Sequence, residues 1–160
     1  MCVTMLLSRL KPLYLSHPFS YRLEARKIEA EIEAQTGLSI INPFYDTKDS
    51  KAMKKIDSGK MKLWQLREKE KTNNTVSLDL GLIKKKSTAG VLLLVPYGYG
   101  SFGAPIEAYV ARRVYKKPVY TICYEKGMSH PWIQYVSTAM FPTAKDFISF
   151  VNQWARSPKR

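Results

Sequence analysis

The run Val91-Leu92-Leu93-Leu94-Val95-Pro96 constrains the fold more than any other stretch of the chain. Unbroken aliphatic residues without polar alternation suit a strand covered on both faces, as at the centre of a parallel sheet. A glycine-rich turn follows from Tyr97 to Gly103, then a helical stretch from Ala104 to Tyr115, then a second strand-like run from Pro118 to Cys123. Strand, helix and strand at this spacing make a βαβ unit, so the remaining segments are read for the elements that complete its sheet.

Leu13 to Ser16 is a short apolar run closing at His17-Pro18, a first strand. Ser20 to Thr36 places Leu23, Ile28, Ile32 and several alanines at helical spacing, with Gly37 positioned to stop the helix. Leu38 to Ile41 is a second strand, ended by Asn42-Pro43 because proline lacks a ladder donor and restrains its predecessor. Tyr45 to Gly59 has no apolar periodicity and reads as a long surface loop near a site. Met61 to Lys71 and Val76 to Lys86 read as two helices divided by Thr72-Asn73-Asn74, the second with Leu80 and Ile83 on one face and Asp79 beside it. Tyr135 to Phe141 is a candidate last strand, and Thr143 to Trp154 a closing helix with Phe147, Phe150, Val151 and Trp154 inward.

Alternation of this kind implies one α/β domain over residues 1–160, doubly wound and Rossmann- or flavodoxin-like, with a mostly parallel five-stranded sheet and a basic tail from about residue 156. Such sheets bind ligands outside the carboxyl ends of their strands, where strand order reverses. The loops of interest are therefore Ser16-His17-Pro18, Asn42 to Asp46, Tyr97 to Gly103 and Glu125 to Trp132.

A chain of 160 residues buries roughly two-thirds of its unfolded surface without help from metals or cross-links. The cysteines, Cys2 and Cys123, give neither a disulfide framework nor zinc-ligand spacing, which points to a reducing, cytoplasmic compartment. Met1 to Leu10 is apolar but too short for a signal-peptide core, and no run approaches the roughly 18 apolar residues of a membrane span. The glycosylation pattern Asn73-Asn74-Thr75 then carries no meaning. The formal charge of +13 sets up a field that attracts phosphates, so an anionic partner is expected. Its lysines and arginines are scattered over Lys51 to Lys62, Lys84 to Lys86, Arg112 to Lys117 and the Lys159-Arg160 end, which leaves a plain solvated surface as the competing reading.

Gly98, Gly100 and Gly103 surround Ser101 between a buried strand and a helix start, where backbone N–H groups can hold an anion. The spacing is neither a Walker loop nor a dinucleotide fingerprint, and a plain tight turn explains the glycines equally. Glu107 is expected in the first turn of the following helix. There it is either an ordinary N-terminal helix charge or a carboxylate beside the crevice, able to attack a sugar carbon and form a covalent glycosyl intermediate. Phe44, Tyr97, Tyr99 and Trp132 are loop aromatics that either stack on a base or cover the core edge.

Taken in order, Tyr14-Leu15-Ser16-His17-Pro18-Phe19, Asn42-Pro43-Phe44, Asp79-Leu80-X-X-Ile83 and Ser101-Phe102-Gly103-Ala104-Pro105-Ile106-Glu107 resemble the nucleoside 2-deoxyribosyltransferase superfamily, which includes deoxynucleoside 5'-monophosphate N-hydrolases. The resemblance runs from about Leu13 to Phe147. It implies Glu107 as the nucleophile, Tyr14 as the tyrosine orienting it, and Asp79 as the aspartate that contacts the sugar or passes a proton to the leaving base. Apart from the resemblance, Asp79 is a solvated helix carboxylate and Tyr14 a packed strand tyrosine. Relatives that act on nucleosides carry an aspartate where this chain has Ser101, and a serine with neighbouring amides suits a 5'-phosphate that a carboxylate would repel.

The ligand-contact set expected on this basis is Ser16, His17, Pro18, Phe44, Ser101, Gly103 and Ser129, with Ser129 completing a phosphate pocket across a homodimer or larger homo-oligomer. His17 and Pro105 depart from the small or glycine residues usual at their positions. No metal or organic cofactor is implied. Two non-enzymatic readings stand beside this one: a nucleotide- or nucleic-acid-binding module using the same pocket and the basic surface, and an inactive structural relative.

Overall fold

A computed structural model of the chain describes residues 11–47, 50–69 and 72–156. The Met1 to Leu10 segment and the basic end at Lys159 and Arg160 lie outside the described residues. Among the described residues five parallel strands form one sheet in the order β2-β1-β3-β4-β5, a doubly wound α/β arrangement. The strands are β1 (Leu13–Ser16), β2 (Ile40–Ile41), β3 (Gly90–Val95), β4 (Val119–Cys123) and β5 (Ala139–Phe141). Seven helices flank them: α1 (Arg22–Thr36), α2 (Ser50–Asp57), α3 (Leu63–Lys69), α4 (Thr72–Lys84), α5 (Gly103–Tyr109), α6 (Pro131–Val136) and α7 (Ala144–Arg156).

The aliphatic run does become the central strand. Successive residues of β3 alternate between two cores, which is why the sequence shows no polar alternation there. Leu92 and Leu94 pack with Leu15, Ile122, Ile32 of α1 and Phe147 of α7 on one face. Val91 and Leu93 pack with Tyr14, Val119, Ile83 of α4 and Ala104 and Ala108 of α5 on the other. Each large aliphatic side chain so buried contributes roughly 1.5–3 kcal/mol. β1 pairs with β2 on one side and β3 on the other, so the chain reverses its winding between β1 and β3. The crevice where ligands bind in such sheets therefore opens at Ser16 and Val95.

Gly37 ends α1 in the left-handed region, φ 69°, with its N–H on the Glu33 carbonyl at 2.8 Å. Several sequence expectations need correction. Tyr45 to Gly59 is not one loop: Ser50–Asp57 is α2, which buries only Met53 and so leaves no apolar rhythm to read. The break expected at Thr72 to Asn74 is the first turn of α4 instead, a position that short polar residues favour. Tyr135 and Val136 belong to α6, opened by Pro131, whose fixed φ and absent N–H suit a first helical turn; β5 begins only at Ala139. The helix expected through Tyr115 is α-helical to Tyr109 and widens into a π-helical turn over Val110–Val114. In α7 it is Phe147, Ile148 and Val151 that face inward, while Phe150 and Trp154 are exposed; in α1 Leu23 is exposed as well. No helix among the described residues is long and apolar enough to cross a membrane.

Candidate functional site

At the carboxyl ends of β1 and β3 lies a cleft of ≈ 540 Å³. Its walls come from the turn after β1 (His17, Phe19, Ser20), the turn after β2 (Phe44), α4 (Thr75, Val76, Asp79, Leu80) and the segment from Gly100 to Glu107. This is the place that the strand order dictates.

Glu107 stands past the first turn of α5, not within it, so the helix N-terminus is not what holds its charge. The first turn is served by Ser101, whose Oγ accepts the Ala104 N–H at 3.1 Å. Pro105 also falls there, where its missing N–H costs no helical bond. The Glu107 carboxylate is instead gripped from β1. The Tyr14 hydroxyl donates to Oε1 at 3.2 Å and the Ser16 hydroxyl to Oε2 at 2.5 Å. β1 can supply both because alternate strand residues share a face, which puts Tyr14 and Ser16 together toward α5.

The electrostatics are those of a carboxylate in a dry place. Burial pushes the Glu107 carboxyl above the ordinary range, and the Ser16 and Tyr14 hydrogen bonds pull it partway back. Tyr14 is wholly buried; burial first, then the Glu107 and Asp79 carboxylates, raises its phenol far above its ordinary value, so it remains a donor. The same interactions place the Asp79 carboxylate within reach of the Tyr14 hydroxyl, whose single hydrogen serves one of the two acidic groups at a time.

His17 is buried, and burial lowers its ring below the ordinary histidine value. Nδ1 lies 2.9 Å from the Pro18 carbonyl, an acceptor, so the neutral ring carries its hydrogen there. Nε2 makes no hydrogen bond and is left as an acceptor, which is poor chemistry for a phosphate contact. The ring meets Phe44 edge-on at 5.1 Å, and Phe19 meets Phe44 at 5.4 Å, so these rings form an aromatic wall.

Of the residues expected at the site, Glu107, Asp79, His17, Phe44, Ser101 and Gly103 line the cleft. Tyr14 and Ser16 lie behind Glu107 and act on it. Pro18 offers its carbonyl to His17, and Ser129 sits in the 3-10 turn after β4, away from the cleft lining. Tyr97 is exposed, Tyr99 packs on Tyr21 with ring centres 4.9 Å apart, and Trp132 lines a separate groove with Tyr109 and Tyr135. Among the described residues no lysine or arginine lines the cleft. No family model, curated protein or solved structure matches this chain.

Sequence reading placed Asn42 in a loop of interest without a role for its side chain and missed Glu29; together they shape the wall from behind. Asn42 is fully buried; its Nδ2 donates to Glu29 Oε2 at 2.7 Å and its Oδ1 accepts the Phe44 N–H at 3.2 Å. An asparagine before a proline does signal such a side-chain-closed turn.

Proposed function

We propose that the protein cleaves the N-glycosidic bond of a small nucleoside or nucleoside 5'-monophosphate through a covalent bond to Glu107. The observation that carries this reading is the Glu107 carboxylate itself: part-buried at the cleft, held on both oxygens by hydroxyl donors, with Asp79 close by.

A Glu107 oxygen attacks the sugar carbon that bears the base, and the electron pair of the breaking C–N bond leaves with the base, which takes a proton from Asp79 or through a water. Positive charge that develops on the sugar faces the Glu107 carboxylate and the charge that Asp79 gains as its proton leaves, with no cationic side chain of the lining described above. Water then attacks the same carbon and passes a proton to the Asp79 carboxylate left by the first step, which breaks the sugar–Glu107 bond, releases the sugar and restores both acidic groups; a second base in place of water gives transfer instead of hydrolysis. The His17, Phe19 and Phe44 rings supply apolar faces for the base. The Ser101 hydroxyl, still free to donate after accepting the Ala104 N–H, and the Gly100–Gly103 backbone suit a 5'-oxygen or phosphate.

A second reading draws on the cationic charge, which stands outside the described cleft lining: a nucleic-acid-binding surface with no catalysis. One experiment separates the two. The protein and its Glu107→Ala variant are incubated with a panel of nucleosides and 5'-monophosphates, with and without a free acceptor base, and base release is followed by chromatography. Release that vanishes in the folded variant supports the glycosidase; no release from any substrate by the folded protein refutes it.

A further inference from the structure

Ser16 stands at the end of β1 and, as a serine between a strand and a turn, reads as a ligand contact. Its side chain does something else. The residue is buried, with 1% of its surface exposed, and its Oγ lies 2.5 Å from Glu107 Oε2 and 3.4 Å from the Ala104 carbonyl oxygen. A hydroxyl has one hydrogen and cannot serve both acceptors at once. The shorter contact, to a charged acceptor, takes it.

We propose that Ser16 is a positioning residue for Glu107: its hydroxyl anchors Oε2 while the carboxylate is free and turns to the Ala104 carbonyl when Glu107 is esterified. This rests on the glycosidase reading above. Oε1 is the oxygen left to react. Its hydrogen bond, from Tyr14, is the longer at 3.2 Å, and it is the oxygen that a Cβ on Gly103, a cleft-lining residue, would approach to 4.0 Å. Holding Oε2 fixes the carboxylate plane, so Oε1 meets the sugar carbon in one orientation.

The second acceptor matters once the ester forms. A neutral ester oxygen is a weaker acceptor than a carboxylate, and a buried donor left without a partner is costly. The Ala104 carbonyl gives the Ser16 hydrogen a place to go within the same packing, so the site passes between its charged and esterified forms without stranding a polar group. When the ester is cleaved, the hydroxyl swings back and stabilises the carboxylate as it departs.

Ser16 also favours the ionised form of the part-buried Glu107. The other ionisable groups facing Glu107 are Tyr14 from the same strand, Asp79 from α4 and His17 at the turn after β1; β3 has no ionisable side chain, and from α6 the ionisable Tyr135 stacks on Arg113. Tyr14 does not gain charge over the range in which Glu107 titrates as an acid, because burial and the nearby carboxylates raise its phenol still further above that range. Among side chains, Ser16 is therefore the first opponent of the burial effect on Glu107.

The test needs no substrate. Protein labelled with ¹³C at the glutamate side-chain carboxyls is titrated by NMR, with the Glu107 signal assigned by its loss in Glu107→Gln. Ser16→Ala should weaken the ionisation constant of Glu107 by about tenfold, the worth of one hydrogen bond to a charged group. Ser16→Cys, close in shape but a poor donor, should fall between, and Ser16→Thr should restore the wild-type midpoint. A wild-type midpoint in folded Ser16→Ala and Ser16→Cys overturns the assignment. Failure of the glycosidase reading shows separately: the midpoint moves, yet no nucleoside or monophosphate releases base.

Discussion

Replacing Glu107 by glutamine should stabilise the protein, and only at pH values where Glu107 is charged. The carboxyl lies in the folded state above its ordinary value of 4.5, because burial outweighs the two hydroxyl donors. A group whose folded value is raised favours the fold while it is protonated, below the unfolded value, and that contribution is lost as pH rises through the folded value. At pH 8 the wild type therefore carries a buried charge that glutamine does not. Glutamine keeps the shape: its carbonyl accepts one hydroxyl and its amide donates to the oxygen of the other. Two charge-assisted bonds become neutral ones, a loss of about 1 kcal/mol each, while removal of the buried charge returns several kcal/mol. The net gain is on the order of 1–2 kcal/mol, or a Tm rise of roughly 2–8 °C for a chain of this size. Thermal unfolding followed by circular dichroism, for both proteins from pH 4 to pH 8, reads this directly. The difference between the two curves should grow with pH and fade near pH 4. A glutamine variant that melts at or below the wild type at pH 8, or a gain equal at both ends, refutes the argument that burial dominates Glu107.

Asn42→Ala removes the amide that donates to the buried Glu29 carboxylate and the oxygen that closes the Phe44 turn, so urea unfolding should show a loss of about 2–4 kcal/mol. The loss should be larger at pH 8 than at pH 5, because burial raises the Glu29 carboxyl and an unpartnered charge there is felt only once it ionises. Tyr14→Phe keeps the packed ring but removes the donor to Glu107 Oε1; base release should slow about tenfold, with the melting temperature shifting by a few degrees at most.

What the sequence disclosed depended on how many faces of an element are buried. β3 is buried on both and announced itself as five aliphatic residues in a row, and from it the βαβ unit and the position of the cleft followed. α2 buries one residue, Met53, and is held otherwise by polar contacts at Asp57, which accepts from Arg22 and Tyr45; such contacts leave no periodic trace. The last two residues of α6 fall within the candidate strand because Tyr135 and Val136 are strand-prone, although Pro131 carries the opposing signal of a helix start. The site was legible as a set of strand-end and helix residues, not as a geometry. Tyr14 and Glu107 are 93 positions apart, and no spacing rule connects them. The misplacement of Glu107 in the first helical turn had a local cause: the helix begins at Gly103, a residue that reads as loop.

The charge of the chain and the charge of the cleft point in opposite directions, and both fit the proposed glycosidic cleavage. A net +13 acts over roughly a Debye length, about 8 Å at physiological salt, and concentrates anions near the surface without choosing where they settle. Within the cleft the described side chains offer Glu107 and Asp79 but no lysine or arginine. An anion held by its phosphate at the Gly100–Gly103 turn would leave its sugar and base nearer the carboxylates, where positive charge is favoured. A cationic side chain beside Glu107 would do the opposite. It would lower the carboxyl, make it a weaker nucleophile and oppose the developing sugar cation. Hydroxyl donors from Tyr14 and Ser16 hold the carboxylate in place while lowering it only partway and adding no positive charge to oppose the sugar cation, which accounts physically for a strongly basic protein whose candidate nucleophile has neutral neighbours on both oxygens.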